Sequence, residues 1–148
     1  MQAPASFAAD TVSTIIPCLR YRDAPAAIDW LCRAFGFERH AVYAEGDIVH
    51  HAQLTFGNGM IMLGSTDNAS EWGRQIVQPG DVGDRQTQSP CVIVRDADAH
   101  YARAVAAGAV VVQDISDQAY GGRGYSCRDP EGHLWWFGSY DPWKEAGG

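Results

Sequence analysis

Alternation of apolar and polar side chains defines the clearest strand of the chain, at residues 48–56. There, Ala52, Leu54 and Phe56 alternate with polar residues, which is the period of a strand with one buried face. The Gly-Asn-Gly sequence at 57–59 favours a hairpin turn and a returning strand. These segments predict an antiparallel strand pair with an apolar face and a polar face.

A helical period precedes this hairpin, over residues 24–35. The apolar positions at helical spacing are Ala27, Ile28, Leu31 and Phe35. Asp23 is suited to cap the first turn, Pro25 is tolerated within it, and Gly36 is a natural stop. With one strand before the helix and three after it, the first half of the chain is predicted as a strand, a helix and three strands.

The same unit restarts in the second half of the chain. Residues 90–97 repeat the pattern of residues 17–24, with Pro, Cys, Arg, Asp and Ala at matching positions. An internal repeat outweighs local motifs in predicting a fold. The predicted boundaries are a disordered tail at 1–13, repeats at 14–64 and 89–140 within a single domain at 14–140, a linker at 65–88 and a C-terminal tail at 141–148.

The second repeat closes with an Asp-Pro-Glu-Gly turn at 129–132 and an aromatic strand at 134–137. This motif, the repeat and the element order resemble the vicinal oxygen chelate superfamily, which includes glyoxalase I, extradiol dioxygenases and bleomycin-resistance proteins. Segments 20–24, 51–54 and 61–63 are similar to its PhnB-like branch. The resemblance implies an α+β fold in which two βαβββ units form a curved-sheet cup, the glyoxalase/bleomycin resistance/dioxygenase fold.

The resemblance also implies four metal-ligand positions, one on the first and one on the fourth strand of each unit. In this chain they fall on Ile16, Met62, Ser89 and Trp136. Divalent metals in such sites prefer imidazole, carboxylate or thiolate donors, and alkyl, thioether and indole groups are poor substitutes. We therefore expect a cup without a metal or any other cofactor.

A cup without a metal is expected to bind a small hydrophobic or aromatic molecule, with Trp136 as a stacking surface. The resemblance to bleomycin-resistance proteins implies sequestration of a drug or metabolite. Strand alternation predicts the ligand-binding residues. They are Ile16, Cys18, Arg20, Gln53, Met60, Met62, Ser89, Cys91, Leu134 and Trp136. The same Met and Trp side chains would also suit a filled, closed core.

A second interpretation is a divergent lyase, isomerase or dioxygenase that uses acid–base chemistry or a displaced metal. Alternation places His51 on the ligand side, where a group that titrates near neutrality suits a general base. Tyr125 is the second candidate catalytic residue. His133 is predicted at the rim of the cup, and His100 at the surface.

Composition narrows the possible partners. The net charge of −7 repels phosphate backbones, so we expect no nucleic-acid partner. No apolar run is long enough to span a bilayer, and no membrane partner is expected. The four cysteines lack Cys-x-x-Cys spacing, which favours buried thiols in the cytoplasm. Open sheet edges predict a homodimer.

Overall fold

The computed structural model describes residues 6–67 and 70–145. The first sheet contains β1 (Cys18–Tyr21), β2 (Glu38–Glu45), β3 (Ile48–Phe56) and β4 (Gly59–Ser65). The second sheet contains β5 (Cys91–Ile93), β6 (Val110–Asp117), β7 (Arg123–Arg128) and β8 (Leu134–Gly138). The helices are α1 (Ala24–Phe35), α2 (Ala97–Ala106) and α3 (Pro142–Glu145).

The two sheets have the same topology. Their strand orders are β1-β4-β3-β2 and β5-β8-β7-β6. In each sheet the first strand runs parallel to the last, and the other neighbours are antiparallel. Cys18 pairs with Met62 in the first sheet as Cys91 pairs with Trp136 in the second. The α+β fold of two βαβββ repeats is confirmed.

Both long helices begin at an aspartate. The carboxylate of Asp23 accepts a hydrogen bond from the N–H of Ala26, and that of Asp96 accepts one from Ala99, each at 3.1 Å. Such N-caps each stabilise a helix by about 1 kcal/mol. α1 ends at Gly36, which has the left-handed φ of 88°. The predicted start and end of the first helix are therefore confirmed.

The core lies between the two sheets and includes the buried sides of the two long helices. Phe35 of α1 packs on the aromatic rings of the second sheet, with centroid distances of 4.5 Å to Phe137 and 5.3 Å to Trp135. Phe37 also contacts Trp135, although it belongs to the first repeat. Each fully buried side chain of this size contributes about 1.5–3 kcal/mol. Each sheet therefore has one core face, turned to the helices, and one outer face.

The Asp-Pro-Glu-Gly turn joins the two repeats. The carboxylate of Asp129, 3% exposed, accepts hydrogen bonds from the Tyr21 hydroxyl at 2.6 Å and the Trp135 indole at 3.1 Å. Its other oxygen accepts from the backbone N–H groups of Glu131 and His133. Four donors around one carboxylate compensate for its burial.

The neighbouring side chains of the turn also bind the first repeat. The Glu131 carboxylate accepts from the N–H groups of Arg22 at 2.6 Å and Asp23 at 2.9 Å, just before α1. Nε2 of His133 lies 2.8 Å from the carbonyl oxygen of Arg20, so it donates there. His133 is 5% exposed. The prediction that His133 lies at the rim of the cup is therefore wrong, because its side chain is buried in the contact between the two repeats.

The connection between the repeats is partly ordered. It contains two short 3₁₀ turns, Gly73–Gln75 and Pro79–Val82. Residues 1–5, 68–69 and 146–148 lie outside the described residues, so parts of the predicted tails and linker are not assessed. Within the predicted C-terminal tail, the structure adds the single turn of α3. Among the described residues, no helix is long and apolar enough to cross a membrane.

Candidate ligand-binding faces

The outer face of the first sheet carries most of the candidate residues from the first repeat. Strand pairing places Cys18 beside Met62, and Met62 beside Gln53. Met60 and His51 lie on the same face, because each is an even number of positions from one of these residues in its strand. Met60, Met62, Gln53 and His51 are all partly exposed. Two thioethers and two polar groups thus form one continuous surface.

The second sheet presents the equivalent surface. Pairing places Cys91 beside Trp136, and Trp136 beside Ser126. Leu134 shares this face and is partly buried. Because both core faces turn toward the same helices, the two outer faces point away from each other. Within one chain, the surface around Met62 and the surface around Trp136 are therefore two separate halves.

The indole of Trp136 lies close to two glycines of the second sheet. Its neighbours on that face are Gly124 and Gly138, which pair directly with each other across β7 and β8. A Cβ added at Gly124 would lie 2.5 Å from Cζ2 of the indole, and one at Gly138 would lie 2.9 Å from Nε1. Real Cβ atoms do not approach so closely, so only glycine leaves room for the ring at both positions.

His51 is part of a small polar group on the first outer face. Its Nε2 lies 3.0 Å from the side-chain nitrogen of Gln53, and its ring stacks on Tyr43 at a centroid distance of 6.2 Å. An amide nitrogen donates, so Nε2 of His51 accepts and its proton lies on Nδ1. Gln53 therefore holds the His51 imidazole in place.

Arg20 lies beneath the connection between the repeats. Its guanidinium donates to the carbonyl oxygen of Ser65 at 2.7 Å, and a Cβ added at Gly73 would lie 2.6 Å from its Nη1. The residue is only 9% exposed. The prediction that Arg20 faces the ligand is wrong in this structure, because residues around Gly73 cover it.

The remaining candidates lie at the strand starts. Ile16 and Ser89 precede β1 and β5, Ile16 partly buried and Ser89 exposed. Cys18 and Cys91 are free thiols at the edges of the two outer faces. Burial raises the pKa of both thiols, so they are mostly protonated and weakly nucleophilic at neutral pH.

Tyr125 lies on the core face, so its predicted place in the cup is wrong. It pairs with Phe137 and is fully buried. Its hydroxyl lies 2.6 Å from Nδ1 of His100, whose Nε2 lies 2.8 Å from the carbonyl oxygen of Phe35. A carbonyl only accepts, so Nε2 carries the proton and Nδ1 accepts from Tyr125. Burial raises the pKa of Tyr125, so its hydroxyl stays protonated.

His100 is half-buried, and both of its ring nitrogens bond inward, so the prediction of a surface position is only partly right. Burial lowers its pKa, against a smaller rise from the hydrogen bond with Phe35. The sequence contained a signal for this position. Ala97 and Ala104 are the buried residues of α2, and His100 lies three positions after one and four before the other, on the same helical face.

The four family metal positions do not fit a metal ion. Met62 and Trp136 present a thioether and an indole, and Ile16 and Ser89 add an alkyl group and one hydroxyl. These groups lack the nitrogen, carboxylate or thiolate donors of such centres. The described residues also contain no cluster of three or more His, Cys, Asp or Glu side chains able to hold a metal. No chemical step is therefore assigned to a metal.

The paired repeats and their outer faces define a class of small βαβββ-repeat proteins. A sequence model of the Glyoxalase/Bleomycin resistance protein/Dioxygenase superfamily matches residues 11–137, and the chain belongs to this superfamily. An uncharacterized protein of Mycobacterium bovis is 34% identical over 126 residues, which cover 82% of this chain and 80% of that relative.

Solved structures agree with this assignment. TioX from Micromonospora sp. ML1 is 36% identical, with a TM-score of 0.65 over 85% of this chain and 97% of that chain. A variant of the fosfomycin resistance protein FosX from Listeria monocytogenes, complexed with Mn(II) and 1S,2S-dihydroxypropylphosphonic acid, has a TM-score of 0.61. It is 14% identical and covers 85% of this chain and 88% of that chain, so it shows the fold alone.

Proposed function

We propose that this protein binds a small, flat hydrophobic or aromatic molecule against Trp136, without a metal. The observation that carries the proposal is the indole lying next to Gly124 and Gly138 while remaining partly exposed. An indole in this position offers a broad apolar face to a planar ligand, and aromatic pairs contribute about 0.5–1.5 kcal/mol beyond the area they bury.

The proposal includes a homodimer in which each cup is shared between two chains. The support is that the Met62 half and the Trp136 half of one chain point in opposite directions. Each half alone is an open surface, whereas small-molecule sites enclose most of their ligand. A second copy allows the first repeat of one chain to cover the second repeat of its partner, and two-fold symmetry then produces two equal cups.

The biological role that we propose is sequestration of a drug or metabolite, in the cytoplasm. Support comes from the family, whose name includes bleomycin resistance. Free cysteines at all four positions are compatible with a reducing compartment. Within the superfamily, we propose the PhnB-like branch on the basis of segments 20–24, 51–54 and 61–63.

A second candidate function is catalysis of a lyase, isomerase or dioxygenase reaction with His51 as the general base. The observation that favours it is the Nε2 acceptor of His51 on the first outer face, oriented by Gln53 at 3.0 Å. A substrate donor that displaced the Gln53 amide would reach this nitrogen. The test is His51→Ala, which would abolish turnover while leaving binding nearly unchanged.

The binding proposal is tested with 2-naphthol as a planar probe, by isothermal titration calorimetry. Trp136→Ala should raise the dissociation constant several-fold, because it removes the stacking surface. Trp143→Ala is the matched control, since Trp143 is 90% exposed on α3 and belongs to none of the strands that form the outer faces. If Trp136→Ala binds the probe as tightly as the wild type, Trp136 is only a packing residue and the proposal fails.

A further inference from the structure

We infer that Gly124 and Gly138 are positioning residues for the ligand site, and that the site they shape takes an uncharged planar ring on one face of Trp136. This inference rests on the proposed function and names its ligand class. It is carried by three observations: the space that the glycines leave, the partial exposure of the indole on its outer side, and the charges around it.

The two glycines have no other evident reason to occur together. Glycine weakens the interior of a strand, because it loses more backbone entropy than other residues and has no side chain to pack. Here two glycines pair directly across β7 and β8. Their missing side chains leave a shallow recess in the sheet, and the Trp136 indole fills it.

The indole is open to a ligand on its outer side. Its Nε1, Cε2 and Cζ2 atoms lie so close to Gly124 and Gly138 that a Cβ at either position would collide with them. A ligand therefore stacks on the indole from the outer side. A planar ring makes contact over its whole area in this arrangement. A saturated ring of equal size is puckered, so it touches the indole at fewer atoms.

The charges near the indole favour an uncharged ligand. The residues paired with Trp136 are Cys91 and Ser126, and both are uncharged. Two acidic residues of β6 are engaged elsewhere: Asp114 accepts from Tyr101, and Asp117 pairs with Arg123. The neighbours of the indole thus supply no carboxylate to offset the desolvation of a bound cation.

Three probes of similar size separate these features by calorimetry. They are 2-naphthol, which is planar and neutral; decahydro-2-naphthol, which is saturated; and N-methylquinolinium, which is planar and cationic. For the wild type we expect 2-naphthol to bind at least tenfold more tightly than decahydro-2-naphthol, and at least as tightly as N-methylquinolinium. Tighter binding of the cation, or equal binding of the saturated probe, would overturn the assigned ligand class.

The positioning role is tested with Gly138→Ala. The atom closest to the added Cβ is Nε1 of the Trp136 indole, at 2.9 Å. The variant should lift the ring, weaken 2-naphthol binding at least fivefold and change the near-ultraviolet circular dichroism of the tryptophans. Gly80→Ala is the control, since the atom closest to its added Cβ, Nη1 of Arg22, would lie at an ordinary contact distance of 3.7 Å. Unchanged affinity in Gly138→Ala would contradict the positioning role.

A double variant keeps the test valid if Gly138→Ala folds poorly. Adding Trp136→Ala to Gly138→Ala removes the collision, so the double variant should regain solubility and melt above Gly138→Ala. Its affinity for 2-naphthol should equal that of Trp136→Ala alone, because both changes act through one ring. A double variant that melts no higher than Gly138→Ala would show that the alanine is damaging for another reason, and would overturn the inference.

The outcomes also separate this inference from the proposed function. If Trp136→Ala weakens 2-naphthol and Gly138→Ala does not, the flat-ligand function stands and the glycine role fails. If neither variant changes the affinity, both fail. Failure of the wild type to bind 2-naphthol at about 1 mM, a concentration that would detect even weak complexes, would likewise overturn both.

Discussion

The hydroxyl of Tyr21, in the first repeat, donates a 2.6 Å hydrogen bond to the buried carboxylate of Asp129, in the second. This bond crosses from β1 to the turn before β8, and burial with the nearby carboxylate raises the pKa of Tyr21 well above its ordinary value. The tyrosine therefore remains a donor over the whole physiological pH range. It is one of four donors that satisfy the Asp129 carboxylate inside the protein.

Tyr21→Phe should lower the free energy of unfolding by about 1.5–3 kcal/mol, the usual range for a hydrogen bond to a charged group. The ring keeps its packing, so the loss comes from the carboxylate that is left with one donor fewer. Urea denaturation followed by fluorescence measures the change. Tyr120→Phe is the control, because Tyr120 is 55% exposed. Equal stabilities of Tyr21→Phe and the wild type would show that the bond contributes nothing.

His100 should make the protein less stable as the pH falls. Its pKa is lowered in the folded state, so below the ordinary histidine value of about 6.5 the unfolded chain binds a proton that the folded protein does not. Stability is then lost from about pH 6.5 down to the folded pKa, by up to about 1.4 kcal/mol per pH unit. The groups that face the ring are Phe35, Tyr125 and, more weakly, the Arg103 cation.

The variant His100→Gln isolates this effect. Its amide can donate to the Phe35 carbonyl but does not titrate. The difference in unfolding free energy between wild type and variant should shrink as the pH is lowered from 7 to about 5, because only the wild type carries the penalty. Denaturation curves at several pH values provide the measurement. A difference that stays constant with pH would rule out His100 as the titrating group.

Mixed dimers test whether the cups are shared between chains. Met62→Ala and Trp136→Ala should each weaken both cups of their own homodimer. When the two variants are co-expressed, a mixed dimer has one cup carrying both changes and one cup that is intact. We therefore expect 2-naphthol to bind with wild-type affinity at one site per mixed dimer. No recovery, or a monomer by light scattering at micromolar concentration, would contradict the shared cup.

Elemental analysis tests the absence of a metal. Purified protein should contain Zn, Ni, Fe and Mn only far below one equivalent, because Met62 and Trp136 occupy family ligand positions with weak donors. Treatment with a chelator should leave 2-naphthol affinity unchanged. Stoichiometric metal that survives gel filtration would require ligands elsewhere, and His51→Ala would then be the first variant to test for its loss.

The fold followed from the sequence because its signals are local and agree with one another. The alternation through Ala52 and Leu54, the Asp23 cap and the Gly36 stop each fix one element, and the repeat supplies the same evidence twice. The resemblance to a family then supplied the arrangement. None of these inferences needed to know which residues meet across the core.

The candidate site was only partly predictable, because side-chain placement depends on partners far away in sequence. β7 is short and begins beside glycines, so its sequence pattern does not show which residues face the core. For this reason the sequence predicts Tyr125 on the outer face, whereas it lies on the core face. His133 and His100 are polar residues whose partners, Arg20 and Phe35, belong to the other repeat. The position of the Trp136 indole depends on Gly124. That residue lies beside the indole because of the register between β7 and β8, which the sequence does not show.

The turn at Asp129 also determines how this duplicated chain can be divided. Each repeat resembles a complete unit. However, the hydroxyl of Tyr21 and the N–H groups of Arg22 and Asp23, in the first repeat, donate to acceptors in the second repeat. A backbone cut in the connection would leave two halves that are each chemically incomplete. Such halves should stay soluble when produced together and aggregate when produced apart. Although the two repeats have the same topology, neither is expected to fold without the other.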